Sequence, residues 1–167
     1  PYCVGQVPVH YNEFFTGRPN RKGMQERFRS RYIDIPNAPL YPFGYGLSYT
    51  DFSVSSVTLD KEEMGPEDII RAGVRIKNTG TRSGTETVQL YLRDTVASVV
   101  RPVRELKGFE KVTLEPGEER EIVFTIDESM LRFHTEKNGF ASETGDFLVF
   151  IGTDSTTENQ AHFCLCR

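Results

Sequence analysis

Residues 70–77 alternate strictly between apolar and polar or small side chains: Ile70, Ala72, Val74 and Ile76 on one side, Arg71, Gly73, Arg75 and Lys77 on the other. A period of two sends successive side chains to opposite faces, so this stretch is a strand with one buried face. The pattern returns where Val88, Leu90 and Leu92 alternate with Thr87, Gln89, Tyr91 and Arg93. It returns again in Ile122, Phe124 and Ile126, and in Ala161, Phe163 and Leu165. Residues 147–151 are apolar on both faces, as a central strand requires. Leu106 to Leu114 reads as a further strand whose parity breaks near Gly108, where a bulge is expected. Turn signals separate these runs: Asn78-Thr79-Gly80, Glu115-Pro116-Gly117-Glu118 with Pro and Gly placed for a type II turn, and the hairpin pair Asn138-Gly139. Leu131 and Phe133 make a short piece between them, and no helix is expected. Short strands punctuated by turns over about 115 residues predict an all-β sandwich of about seven strands.

Ahead of the strands stands Leu-Tyr-Pro-Phe-Gly-Tyr-Gly-Leu-Ser-Tyr-Thr, residues 40–50, with four aromatic rings among its eleven residues. Proline removes a backbone donor and the glycines lower helix propensity, which excludes a regular helix. The content of large apolar groups excludes a flexible linker. Rings at Tyr41, Phe43, Tyr45 and Tyr49 are expected to bury large areas, with Gly44 and Gly46 admitting close backbone approach. The stretch is therefore read as an irregular, tightly packed connector between two bodies.

Residues 1–39 show no sustained periodicity. Val4 to Tyr11 fits one short strand, which Pro8 restricts to an edge or an end. Thr16-Gly17-Arg18-Pro19-Asn20 is rich in turn formers. Six cations follow closely (Arg18, Arg21, Lys22, Arg27, Arg29, Arg31) against the single acid Glu26. An anion-binding patch is one reading; a solvated loop, or one paired with acids elsewhere, is the favoured one, because the flanking chain is not basic.

The composition, 37% hydrophobic and 26% charged with a net charge of -4, suits a globular domain and gives no reason to expect nucleic acid. No apolar run reaches the length of a membrane span. The N-terminus lacks the pattern of a signal peptide, and the absence of an initiator Met leads us to expect a piece of a longer protein. Cys3, Cys164 and Cys166 do not form a disulfide framework; the last two share a strand face, a poor geometry for bonding to each other. The thiols favour a cytoplasmic over a periplasmic or secreted setting by a small margin. His10, His134 and His162 are scattered, so neither a metal nor a cofactor is expected. Glu62 and Glu63 fall in an expected loop, and Glu118 and Glu119 flank a turn. Adjacent exposed acids lack the burial that would raise one of them for acid/base work, so no catalytic residue is assigned.

Several phrases occur in one order: Tyr41-Pro42-Phe43-Gly44-Tyr45-Gly46-Leu47-Ser48-Tyr49, Val74-Arg75-Ile76-Lys77-Asn78-Thr79-Gly80, and Gly84-Thr85-Glu86-Thr87-Val88-Gln89-Leu90-Tyr91-Leu92. Arg101-Pro102-Val103-Arg104-Glu105-Leu106-Lys107-Gly108-Phe109-Glu110-Lys111-Val112 and Leu114-Glu115-Pro116-Gly117-Glu118 complete the set. Together these resemble the C-terminal end of glycoside hydrolase family 3 enzymes of the β-glucosidase type, including their fibronectin type III-like domain. Val4-Gly5-Gln6-Val7-Pro8-Val9-His10-Tyr11-Asn12 and Thr16-Gly17-Arg18-Pro19 resemble the last segment of the α/β sandwich domain that precedes it. After Met130 the chain departs from the pattern, with Phe140 where a tryptophan often stands and an unfamiliar tail over residues 160–167.

The resemblance implies an immunoglobulin-like sandwich over residues 52–167, a connector over 40–51 and the remnant of an α/β domain over 1–39. It implies a retaining glycosidase as parent, acting on terminal β-linked glucosyl residues through two carboxyl groups that lie ahead of this segment. No residue here matches either motif, so the chain alone is expected to be inactive. Its partners would be the catalytic domains and a possible second subunit, with oligosaccharide met only through the parent. The collar residues Tyr41, Phe43, Gly44, Tyr45, Gly46 and Tyr49 would form the domain interface. The loop bearing Asp94, Arg101 and Arg104 would reach a substrate pocket or a subunit, or simply cross between sheets. The competing reading is an independent carbohydrate-binding or adhesion module, with Tyr11, Tyr32 and Tyr91 as sugar-stacking candidates; packing at domain contacts is the preferred role for these rings.

Overall fold

The computed structural model describes residues 1–14, 31–137 and 139–166. The strands are β1 (Phe52–Val54), β2 (Thr58–Leu59), β3 (Glu63–Met64), β4 (Ile69–Asn78), β5 (Gly84–Asp94) and β6 (Glu105–Leu114). They continue with β7 (Glu119–Asp127), β8 (Phe133–His134), β9 (Phe140–Ala141), β10 (Gly145–Gly152) and β11 (Gln160–Leu165). β4 pairs with β7 along one edge; β1 and β2 lie end to end along the other, as Ile76 faces both Val54 and Arg120 while Gly73 faces both Thr58 and Val123. β1 and β2 are thus one strand interrupted at residues 55–57. The second sheet runs β3-β11-β10-β5-β6, antiparallel except where β3 pairs parallel with β11. With the interrupted strand taken as one and the two-residue strands set aside, seven rows form the expected sandwich.

The alternation in sequence becomes the core between the sheets. Ile70, Ala72, Val74 and Ile76 of β4 and Ile122 and Ile126 of β7 meet Val88, Leu90 and Leu92 of β5 and Phe147, Val149 and Ile151 of β10, all buried. Each large aliphatic residue enclosed here contributes about 1.5–3 kcal/mol of burial free energy. Phe147 stacks on its cross-strand partner Phe163 at 5.4 Å. The bulge near Gly108 is present: the β5–β6 register jumps from Leu90↔Gly108 to Tyr91↔Leu106, leaving Lys107 without an opposite residue. Gly117 has φ +79° and Glu118 N–H bonds Glu115 O at 3.0 Å, the geometry of the expected type II turn. Asn78 has no exposed surface; its side chain donates to Arg82 O and Leu114 O at 2.7 and 3.0 Å, closing the end of the sandwich.

Three expectations are corrected. Val4 to Tyr11 is not a strand: Gly5 has φ +92°, Gln6 N–H bonds Cys3 O and Glu13 N–H bonds His10 O, so the segment bends in short turns. Just beyond it, Phe14 makes a single β-bridge with Pro102. Glu63 belongs to β3 rather than a loop, because a distant strand, β11, supplies its partner. Glu128–Leu131 forms a short 3-10 turn, capped by the Asp127 carboxylate accepting from Met130 N–H at 3.2 Å; four residues are too few for a period to show. The hairpin at Asn138-Gly139 is formed by β8 and β9, with Thr135 N–H bonding Gly139 O at 2.9 Å, while Asn138 itself lies outside the described residues. The cations Arg18, Arg21, Lys22, Arg27 and Arg29 also lie outside them; Arg31 is exposed.

Candidate functional site

The aromatic stretch is irregular, as read, but its rings are not enclosed by this chain. Tyr41 is 64% exposed, Tyr49 90% and Leu47 92%, and Leu40, Phe43 and Tyr45 are each about half exposed. Among the described residues nothing covers this face. The backbone is nevertheless held at two points. At the first, Tyr45 N–H bonds Pro42 O at 3.1 Å around Gly44, whose φ of +87° a residue with a Cβ adopts only under strain. Phe43 O accepts from Ser155 N–H at 2.9 Å. The Phe43 ring stacks on Tyr11 at 4.6 Å, and Tyr11 meets the edge of Tyr91 at 5.8 Å.

At the second point Thr50 is buried at the top of the sandwich, where its hydroxyl donates to Asn78 Oδ1 at 2.7 Å. Gly80 and Gly84 make room for it, since a Cβ there would lie 2.2 Å from Thr50 Oγ1 and 2.5 Å from Thr50 Cγ2 respectively. Residues 45–49 arch between these anchors, with Tyr41 and Tyr45 in ring contact at 5.0 Å. Open space surrounds Gly46, so packing within the chain does not demand a glycine there.

The floor beneath the first anchor is the outer face of β5 and β10. Gln89, Tyr91 and Phe150 are buried on it, although local alternation assigned Gln89 and Tyr91 to solvent. Tyr91 hydroxyl donates to Gln89 Oε1, and Gln89 Nε2 donates to Thr153 O at 2.7 Å. Burial, with Tyr11 and Asp154 nearby, pushes the Tyr91 phenol up to about 12. Tyr91 therefore offers no platform to a sugar. Tyr32 is half-buried and its hydroxyl accepts from Val7 N–H at 2.8 Å.

Arg104 closes the floor. Its Nη1 donates to Ser155 O and Thr157 O at 2.9 and 2.8 Å, and its guanidinium lies 4.2 Å over the Phe150 ring. Burial lowers its pKa from the usual value. A cleft of about 590 Å³ opens beside it, lined by His10, Tyr11, Tyr41, Phe43 and Ser155 among others. Arg101 sits 4.3 Å over Phe133 and pairs with Glu105 at 2.5 Å. Burial raises the Asp94 carboxyl above its usual range, against the lowering effects of Val96 N–H and Arg101. Asp94 and Arg101 line one pocket under the exposed Val96 and Val100, whereas Arg104 faces the collar. The three loop residues thus belong to two neighbouring settings.

The acids weighed earlier do not assemble. Glu62 and Glu63 are exposed, and Glu118, hydrogen-bonded at Glu115 N–H and Arg120, is held below the usual range, not raised. Among the described residues no three His, Cys, Asp or Glu side chains are arranged to hold a metal ion, and no helix is long and apolar enough to cross a membrane.

Residues 86–155, from within β5 to the loop that receives Phe43, match the family of fibronectin type III-like domains. The sandwich is a fibronectin type III-like domain. Around this domain the chain is 48% identical over 163 residues to a periplasmic β-glucosidase of Salmonella typhimurium, covering 98% of this chain and 21% of that protein. It is 40% identical over 166 residues to a putative β-xylosidase of Formosa agariphila. In structure it superimposes on a β-glucosidase of Listeria innocua solved with laminaribiose, with TM-score 0.91 and 40% identity over 98% of this chain and 22% of that one. The chain thus spans about a fifth of the length of the relatives it matches. The resemblance to the C-terminal segment of family 3 β-glucosidases is borne out.

Sequence reading named Tyr11 as a ring packing at a domain contact but missed the other residues that hold the collar on the sandwich: Thr50, Asn78, Gln89 and Ser155. A signal for the covered floor did exist at Tyr91. Tyr91 stands among residues that are large on both strand faces, as does Phe150, and such a strand is covered on both sides.

Proposed function

We propose that this chain is the non-catalytic C-terminal structural segment of a β-glucosidase-type enzyme, one that hydrolyses terminal β-linked glucosyl residues of oligosaccharides or glycosides. On this reading residues 1–39 complete an α/β domain, residues 40–51 connect, and the sandwich of residues 52–167 braces the catalytic domains. The retaining chemistry, with one carboxyl group as nucleophile and one as acid/base, takes place on those domains. The observation that carries the proposal is an apolar collar pinned at Gly44 and Thr50 to a rigid sandwich while Tyr41, Leu47 and Tyr49 face outward. Contiguous exposed apolar groups on a fixed backbone mark a surface made to be covered. Tyr41, Tyr45 and Tyr49 dock on the catalytic body; Phe43 and Gly44 set the height of the collar, and Gly46 permits approach from the far side. Asp94 and Arg101 hold the loop that reaches toward the substrate pocket or a second subunit, and Arg104 ties that loop to the collar's floor.

Two measurements test this. The purified 167-residue chain is expected to leave an aryl β-glucoside uncleaved, and to show no sub-millimolar affinity for glucans in calorimetric titration. Turnover by clean material removes the structural reading; tight glucan binding replaces it with an independent binding module.

A further inference from the structure

β11 carries an outer face that the bracing role does not use. Ala161, Phe163 and Leu165 turn toward the core, so His162 and Cys164 turn away from it, and exposed Cys166 continues that face just past the strand. Cys164 N–H bonds Glu62 O and Cys166 N–H bonds Met64 O, both at 2.8 Å, so β3 holds the two residues in extended register. Their sulfurs lie 3.4 Å apart and neither is in a disulfide. Asp146 faces Cys164 across β10, Glu63 faces it across β3, and Asp146 Oδ1 lies 3.0 Å from His162 Nε2.

We propose that Cys164 and Cys166 form a dithiol clamp for trivalent arsenicals of the R–As(OH)₂ class. Three alternatives fit less well. Residues two apart on a strand have Cα atoms about 6.7 Å apart, at the outer edge of the disulfide range. Closing that bond would pull Cys166 away from Met64. With a bond to sulfur of about 2.3 Å, two sulfurs 3.4 Å apart subtend roughly 95° at a bound atom. That angle suits a pyramidal trivalent centre; it is narrow for tetrahedral zinc and far from the linear geometry of two-coordinate soft ions. Zinc would also need further donors, and the His162 ring already faces Asp146.

The protonation state agrees. The hydrogen bond with Cys166, then burial and the charges of Asp146 and Glu63, push the Cys164 thiol up to about 11. A divalent cation must expel thiol protons against that resistance. An arsonous acid need not: two As–O bonds break, two As–S bonds form, and each thiol proton leaves with a hydroxide as water. Arsenic stays trivalent throughout, so no oxidant or reductant is required.

The probe is phenylarsonous acid added to the full chain and read by intact mass, with thermal melting in parallel. One adduct per chain is expected, reversed by a small dithiol but not by a monothiol, together with a raised melting temperature. C164S and C166S should each weaken binding about tenfold or more, and C3S should leave it unchanged. An adduct that survives C164S or C166S overturns the proposal, as does one lost in C3S. So does equal affinity for the chain unfolded in urea, where the strand spacing is gone. A Cys164–Cys166 disulfide forming in air in the folded chain would also overturn it.

Discussion

Gly44 lies directly over the carboxamide of Gln89: a Cβ at this position would sit 2.4 Å from Nε2 and 2.9 Å from Oε1. Gln89 cannot simply swing aside, because it accepts from the buried Tyr91 hydroxyl and donates to Thr153 O. The positive φ adds its own penalty. Gly44→Ala is therefore expected to destabilise the chain by about 1–3 kcal/mol, read as a lowered urea midpoint with unchanged slope. Gly46→Ala, with open space and no positive φ, is the control and should move the midpoint little.

Asn78 makes four hydrogen bonds through one buried carboxamide, accepting from Thr50 Oγ1 and Gly80 N–H and donating to Arg82 O and Leu114 O. Asn78→Ala strands these partners at the closed end of the sandwich. A loss of about 2–4 kcal/mol is expected in chemical denaturation. Asn78→Asp should fare no better, since a carboxylate cannot donate to the two carbonyls. Near-native stability of either variant would refute this account of the anchor.

Arg104 satisfies two carbonyls of the loop at residues 155–157 and covers Phe150. Arg104→Ala removes both contacts and is expected to cost about 2–3 kcal/mol. Arg104→Lys should recover less than half, because an ammonium lacks the flat fork that stacks and donates together. Amide exchange should quicken in residues 153–157 before it does in β10. Unchanged protection there would show that the loop is held by other bonds.

Asp94 and Asp127 predict opposite pH profiles. Burial raises the Asp94 carboxyl, so its folded state prefers the neutral form. Its favourable contribution is complete below the ordinary carboxylate value of about 3.9 and is lost as pH rises through the folded value. Asp94→Asn keeps an oxygen for Val96 N–H, so it should be more stable than the parent at neutral pH, with the gap closing in acid. Asp127 is lowered, first by its bond from Ser129 and also by Met130 N–H. Its contribution is present above the ordinary value and fades as pH falls through the folded one, so Asp127→Asn should be weaker at neutral pH and equal in acid. Urea midpoints across pH 3 to 7 check both. Parallel profiles would contradict the two assignments.

The individual strands of the core were legible residue by residue. Alternation at Ile70–Ile76 and Ile122–Ile126, the parity break at Gly108 and the turn at Gly117 are local consequences of a two-residue period and of backbone sterics. Such features need no knowledge of what lies across the sheet. Tyr91 was another matter. Its alternation assigned it to the outer face, correctly, and the large residues on both faces signalled a cover, but the approach of Tyr11 and Phe43 decided what that cover is. The collar shows the converse. Its rings suggested burial, yet Tyr41, Leu47 and Tyr49 remain open, because burial depends on which surfaces meet and not on the side chain alone. Period and propensity act over a few residues and are written along the chain. Contacts such as Gly44 on Gln89 or Thr50 on Asn78 join positions tens of residues apart, and folding in three dimensions settles them.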